Sequence, residues 1–241
     1  MTAAAKEKRE VTLPEGISLR RVAEVLLDAW EADPRRWMNT PPELREGAPA
    51  KPAMPVPQDT MDLFRLLAER RVDYLLVGGM AMLTYVKGRN TKDVDLLMSV
   101  AALEQLPELK IEDRNDFFAR GKFKSIQVDL LLTKNPLFKH VLERFATKHP
   151  FEELVVPTAT VEGMIVLKLF ALPSLYRQMD MDRAAVYETD ITVLLARLSP
   201  AVEPLLALVK QHVEPGDKRE LEKILTECSE RAGKLRQRTH S

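Results

Sequence analysis

The stretch that most constrains the chain is residues 74–98, YLLVGGMAMLTYVKGRNTKDVDLLM. Tyr74-Leu75-Leu76-Val77 is an apolar run of strand length, and Gly78-Gly79 ends it. Residues 80–86 have room for two helical turns, with Gly88 placed to close them. Asp93-Val94-Asp95-Leu96-Leu97-Met98 then reads as a second strand. Side chains two apart on a strand share a face, so Asp93 and Asp95 point one way while Val94 and Leu96 point the other. Two neighbouring carboxylates repel unless a cation sits between them. Such a pair is poor design for stability and good design for holding a metal.

Composition sets outer limits. A chain of 241 residues, 45% hydrophobic and 30% charged, is long enough to bury a core. Lysine plus arginine balances aspartate plus glutamate at 36 each, so net charge gives no argument for a nucleic-acid or membrane partner. Cys228 is the sole cysteine, which excludes an intramolecular disulfide and a cysteine-based zinc site. The opening MTAAAKEKRE lacks the apolar core of a signal peptide, and no run reaches the ~18 apolar residues of a membrane span. A cytoplasmic protein without membrane contact is expected, and its oligomeric state is left open.

Residues 1–58 form an accessory segment. Ser18 is placed to cap a helix whose Leu19, Val22, Ala23, Leu26, Leu27 and Trp30 make one stripe, ended by Asp33-Pro34. Six prolines between positions 41 and 57 predict an extended linker or strap. The body begins with Asp59 as N-cap of a helix that puts Leu63, Leu66 and Leu67 on one face. After the opening stretch, Ser99 caps a short helix, and strands are expected over 117–119 and 123–132, turning at Gly121-Lys122. In the second of these Ile126, Val128 and Leu130 share one face and Gln127 and Asp129 the other. Asp129 is thus a third carboxylate in an apolar strand, where an isolated charge is costly and a partner is required. From about residue 136 the chain turns helical, with candidates over 137–146, 161–172, 180–198, 202–213 and 217–236 and one short strand over 153–156 stopped by Pro157. Thr160 caps the helix over 161–172, whose only charge beyond its first turn is Lys168. Leu221, Ile224, Leu225, Cys228 and Leu235 recur at helical spacing in the last helix.

Gly78-Gly79, thirteen residues, Asp93-Val94-Asp95 and a later Val128-Asp129-Leu130 resemble the nucleotidyltransferase superfamily of the DNA polymerase β type. Arg89-Asn90-Thr91-Lys92-Asp93-Val94-Asp95-Leu96 is most similar to the minimal bacterial enzymes of the AbiEii/MenT toxin group, as is a lysine in an apolar helix, here Lys168. The resemblance covers roughly residues 59–198. Many members carry serine as the second residue of the turn, where this chain has Gly79. Related sequences also carry an arginine and a lysine–aspartate pair after the helical lysine; Arg177, Arg183 and Asp190 are the local candidates and are left unassigned.

The resemblance implies an α+β fold, a small mixed sheet flanked by helices as a polymerase β-like core over 59–135, with the helical C-terminal region over 136–241 completing the active site. The N-terminal helical extension and linker over 1–58 and the C-terminal tail are read from their residues alone and carry no family assignment. It implies an enzyme that moves an NMP from an NTP, ATP among the candidates, to an acceptor hydroxyl. Asp93, Asp95 and Asp129 would hold two Mg²⁺ ions, Asp129 would also take the hydroxyl proton, and Lys168 would neutralise the departing pyrophosphate. Gly78, Gly79, Arg89, Thr91 and Lys168 would contact the nucleotide. The acceptor implied is the 3′ end of tRNA, for a toxin with a cognate antitoxin protein or a phage-defence system. Arg231, Lys234, Arg236 and Arg238, with no acid after Glu230, suit phosphate contact. Two alternatives are a protein or small-molecule acceptor such as an aminoglycoside, and a catalytically inactive nucleotide-binding interaction module.

Overall fold

The computed structural model describes residues 57–86, 91, 93–151 and 154–239. The expected helix after Ser18, most of the proline linker, and Gly88, Arg89 and Lys92 lie outside the described residues.

The fold is α+β, a seven-stranded mixed sheet flanked by helices. In chain order the elements are α1 (Pro57–Glu69), β1 (Tyr74–Val77), α2 (Gly78–Met82), β2 (Asp93–Met98), α3 (Val100–Leu103), β3 (Lys110–Arg114), β4 (Phe118–Phe123), β5 (Ile126–Leu132) and α4 (Pro136–Arg144). They continue with β6 (Ala146–Phe151), β7 (Leu154–Ala159), α5 (Val161–Arg177), α6 (Met181–Leu198), α7 (Glu203–Lys210) and α8 (Pro215–Thr239).

Spatial order across the sheet is β3-β4-β5-β2-β1-β7-β6. β1 runs antiparallel to β2 and parallel to β7, while β2 runs parallel to β5. β1 is buried at all four positions, as a central strand with apolar residues on both faces must be. β2 and β5 are two-sided: Val94, Leu96, Ile126, Val128 and Leu130 are buried, and Asp93, Asp95, Gln127 and Asp129 are only partly so. The period of two fixes which row of side chains enters the core, and the acids are the other row.

The caps expected at Ser99 and Thr160 form, accepting from Ala102 N at 3.0 Å and Gly163 N at 3.3 Å. Asp59 instead sits inside α1 and binds the β4–β5 turn, accepting from the Ser125 hydroxyl and from Ser125 N at 3.3 Å. That turn lies at Lys124-Ser125, with Lys124 at φ 51°, so β4 passes straight through Gly121 and Lys122. Gly121 belongs in a strand because a Cβ there would meet the Lys110 carbonyl oxygen at 2.6 Å. β7 likewise runs through Pro157, which stands opposite Lys148 of β6. β3 and β6 are strands with no clear signal of their own; each is an edge paired on one side only.

The helix after Thr160 continues through Pro173 to Arg177. Around it α6, α7 and α8 pack as a C-terminal bundle, joined by Leu169, Leu172, Ile191, Leu194, Val209, Leu221 and Cys228 to one continuous core. Leu235, in the apolar series of α8, is 41% exposed, and Ala232 fills the last buried position instead. Among the described residues no helix is long and apolar enough to cross a membrane.

Candidate active site

β2 and β5 pair in a register that sets Asp95 opposite Asp129 and Asp93 opposite Gln127. On its other side Asp95 faces Val77, the last residue of β1, so its carboxylate lies where the glycine turn begins. Gly78 turns the chain there with φ at 66°, a conformation that costs any residue bearing a Cβ. It is also needed for space, since a Cβ on Gly78 would fall 1.9 Å from Asp95 Oδ2. Gly79 N donates to the same oxygen at 3.3 Å, so this N–H already faces a carboxylate. A Cβ on Gly79 would lie 2.5 Å from Thr91 Oγ1, and that hydroxyl donates to the Asp93 carbonyl oxygen at 3.1 Å. Thr91 therefore occupies the space into which a serine at position 79 would grow.

The three acids share one field. Desolvation, then the nearby charges of Asp129 and Asp93, push the Asp95 carboxyl up to about 7; Lys168 and the Gly79 N–H oppose the shift. Because the folded value lies above the ordinary 3.8, the folded protein holds this proton more tightly than the unfolded chain. Its stabilising contribution is complete below about pH 4 and disappears as pH rises through about 7. In chelator, denaturant melts should show stability falling across that window, and Asp95→Asn should flatten the slope. An unchanged slope in the variant would remove Asp95 as the source.

Asp129 has the partner its position demands. Arg120, opposite it on β4, donates from Nε to Oδ1 and from Nη2 to Oδ2, both at 2.8 Å, and Gln127 Nε2 stands 3.4 Å from Oδ1. This is a fork-on-fork pair, in which each guanidinium N–H meets its own carboxylate oxygen. Sequence reasoning missed Arg120, because placing the hairpin turn at Gly121-Lys122 removes the register that sets Arg120 beside Asp129. Among the described residues no group of three or more His, Cys, Asp or Glu side chains closes into a cluster able to hold a metal, and both Asp129 oxygens are taken.

Lys168 enters from α5. It is buried, and Nζ donates to Asp190 Oδ2 of α6 at 2.8 Å with both side chains almost fully enclosed. The ammonium also lies 4.4 Å from the centre of the Tyr187 ring, and Arg183 Cζ lies 5.6 Å from the same centre. Arg183, Tyr187 and Asp190 follow one face of α6 at helical spacing. The charges of Asp95 and Asp129 act on Arg183, and those of Asp95 and Asp190 act on Tyr187, whose hydroxyl is held protonated chiefly by burial. Of the three candidates left open, Asp190 and Arg183 thus belong to this neighbourhood. Arg177 does not: it binds Asp217 of α8 at 2.8 and 2.9 Å. The basic tail is also partly committed, with Arg231 Nη2 2.7 Å from Glu188 and Arg236 Nη1 donating to Ser199 Oγ at 2.7 Å.

No protein-family model matches the chain, and no curated protein matches it. Among solved structures it is similar to an antigenic nucleotidyltransferase-like protein from Paracoccidioides brasiliensis, with TM-score 0.45, 16% identity, and coverage of 70% of this chain and 91% of that one. It is also similar to the antibiotic-resistance factor ANT(2'')-Ia, with TM-score 0.40, 13% identity, and coverage of 76% and 96%. Likeness of this degree assigns neither family nor activity.

Proposed function

We propose that this chain is a Mg²⁺-dependent nucleotidyltransferase that moves an NMP from an NTP to an acceptor hydroxyl. The observation that carries the proposal is the register that puts Asp95 beside Asp129, against the glycine turn and within the field of Lys168.

The donor set fits a hard divalent ion. Asp93 and Asp95 supply two carboxylates from one strand face, all oxygen, and Mg²⁺ is commonly held by one or two carboxylates with water and substrate phosphate completing the shell. Burial and the charges of Asp129 and Asp93 outweigh Lys168 and the Gly79 N–H at Asp95, and a cation would supply the remaining compensation. When bound, the ion would neutralise phosphate oxygens as charge builds on them.

The chain's own residues do the rest. Gly78, having no Cβ, lets Asp95 approach the turn, and Gly79 orients the carboxylate by its N–H. Lys168, fixed by Asp190, favours the ionised form of Asp95 through its charge. Arg183 is exposed at the edge of the site, where its guanidinium would meet a triphosphate. Asp129 would accept the proton of the attacking hydroxyl once its oxygens are available. We take the acceptor to be the 3′ end of tRNA, in a toxin neutralised by a cognate antitoxin; the support is the likeness of the segment around Asp93 and Asp95 to that toxin group. The commitment of Arg231 to Glu188 leaves less basic surface for this than the sequence offers.

The test is a labelling assay with Mg²⁺, each labelled NTP in turn, and total tRNA, a cell protein extract or an aminoglycoside as acceptor. Label on tRNA supports the full proposal. Label confined to protein or aminoglycoside keeps the chemistry and moves the acceptor. NTP binding with no labelled product in any arm identifies a binding module.

A further inference from the structure

We propose that Arg120 is a positioning residue that keeps Asp129 from a divalent cation until a phosphate draws the guanidinium away. The inference rests on Asp93 and Asp95 being the primary metal-holding carboxylates.

Both oxygens of Asp129 accept from one guanidinium at 2.8 Å. A carboxylate held in this way has its best-directed lone pairs occupied, and any cation approaching it also meets the positive charge of the arginine. The contact is built into the sheet: Arg120 and Asp129 are cross-strand partners, and Asp129 is in turn the partner of Asp95. The row Arg120, Asp129, Asp95 therefore crosses three neighbouring strands at one level, with the arginine at its outer end.

Release is also built in. The Arg120 side chain is 51% exposed while that of Asp129 is 16% exposed, so the arginine can swing toward solvent while the acid stays in place. Water reaches the arginine end of the pair, so opening it costs less than opening a pair buried at both ends. The fork that matches a carboxylate matches two phosphate oxygens equally well. Asp93 also attracts Arg120, so the guanidinium already sits in the field of the acids that a nucleotide's phosphates would approach. A triphosphate arriving there offers Arg120 a new anion and leaves Asp129 free.

Manganese binding to the full chain without nucleotide, followed by loss of the free-ion EPR signal, tests the first half. Arg120→Gln should bind Mn²⁺ about tenfold more tightly than wild type, the scale on which partners of a ligand move metal affinity. Lys122→Gln removes one charge from the same strand face, and affinity in Arg120→Gln no tighter than in this control overturns the proposal. Should Arg120→Gln fail to fold, Arg120→Lys takes its place, keeping the charge and losing the fork. Asp95→Asn separates the two layers of argument: if it leaves Mn²⁺ binding intact, the metal site itself is wrong. If it abolishes binding while Arg120→Gln matches the control, only the role of Arg120 is wrong. For the second half, the Arg120 Nε–H NMR signal of the metal-free protein should shift on adding inorganic triphosphate but not chloride at equal ionic strength. An unmoved signal overturns release by phosphate.

Discussion

Asp95→Asn is expected to lower nucleotidyl transfer about a thousandfold, roughly 4 kcal/mol of transition-state stabilisation, without lowering the melting temperature. The two outcomes have separate causes. The charge that would serve the reaction is the charge that costs the resting protein: desolvation and two neighbouring acids hold the Asp95 carboxyl near 7. Asparagine keeps the shape and an oxygen for the Gly79 N–H while discarding that charge. Above neutral pH in chelator the variant should be as stable as wild type or more so, as expected where function is built at the expense of stability. Radiolabel transfer and thermal melts on the same preparation check both halves. Activity within tenfold of wild type would show that Asp95 is not a reacting-centre ligand.

Lys168→Met is expected to produce the largest loss of stability. Nζ and the Asp190 carboxylate are 2.8 Å apart in the interior, and removing the cation strands a buried anion. Breaking a buried pair from one side costs about 3–5 kcal/mol, a large share of the ~5–15 kcal/mol that holds a typical domain together. The loss of the ammonium from the face of Tyr187 adds to it. The double variant Lys168→Met with Asp190→Leu should regain most of the stability, because both charges leave together. It should not regain activity, since Asp95 would still lack the lysine. Denaturant midpoints for the two single variants and the double give the coupling directly. A double variant no more stable than Lys168→Met would mean that the pair is not the source of the loss.

What was legible in the sequence was whatever period and spacing encode. The alternation in 93–98 put Asp93 and Asp95 on one face, and that in 126–132 put Asp129 opposite the apolar face of its own strand; the β2–β5 register then sets Asp95 beside Asp129. Gly78 was readable as a turn, but its second role was not: the 1.9 Å from its absent Cβ to Asp95 is a fact of tertiary approach. Lys168 stood out as a lone charge in an apolar helix, yet its partner Asp190 and its neighbour Tyr187 lie on a different helix, and no local pattern links them. Arg120 was hidden by a turn placed three residues early. Gly121 looks like punctuation in the sequence and is a strand residue in the fold, where the backbone of Lys110 crowds it. β3 and β6 escaped notice because edge strands carry charge and proline, which local propensity reads as loop.

The position of β7 has a consequence for how the chain is made. β1 is buried throughout, and its neighbour on one side, β2, is translated soon after it, but its neighbour on the other side is β7. Until the ribosome has delivered residues 154–159, the apolar Tyr74–Val77 segment has an open edge with unmet backbone donors and acceptors. A nascent chain halted between β5 and β7 would carry all three acids and an adhesive strand together. The same gap is the period in which a chaperone, or any partner offering an extended segment, could occupy the place later filled by β7.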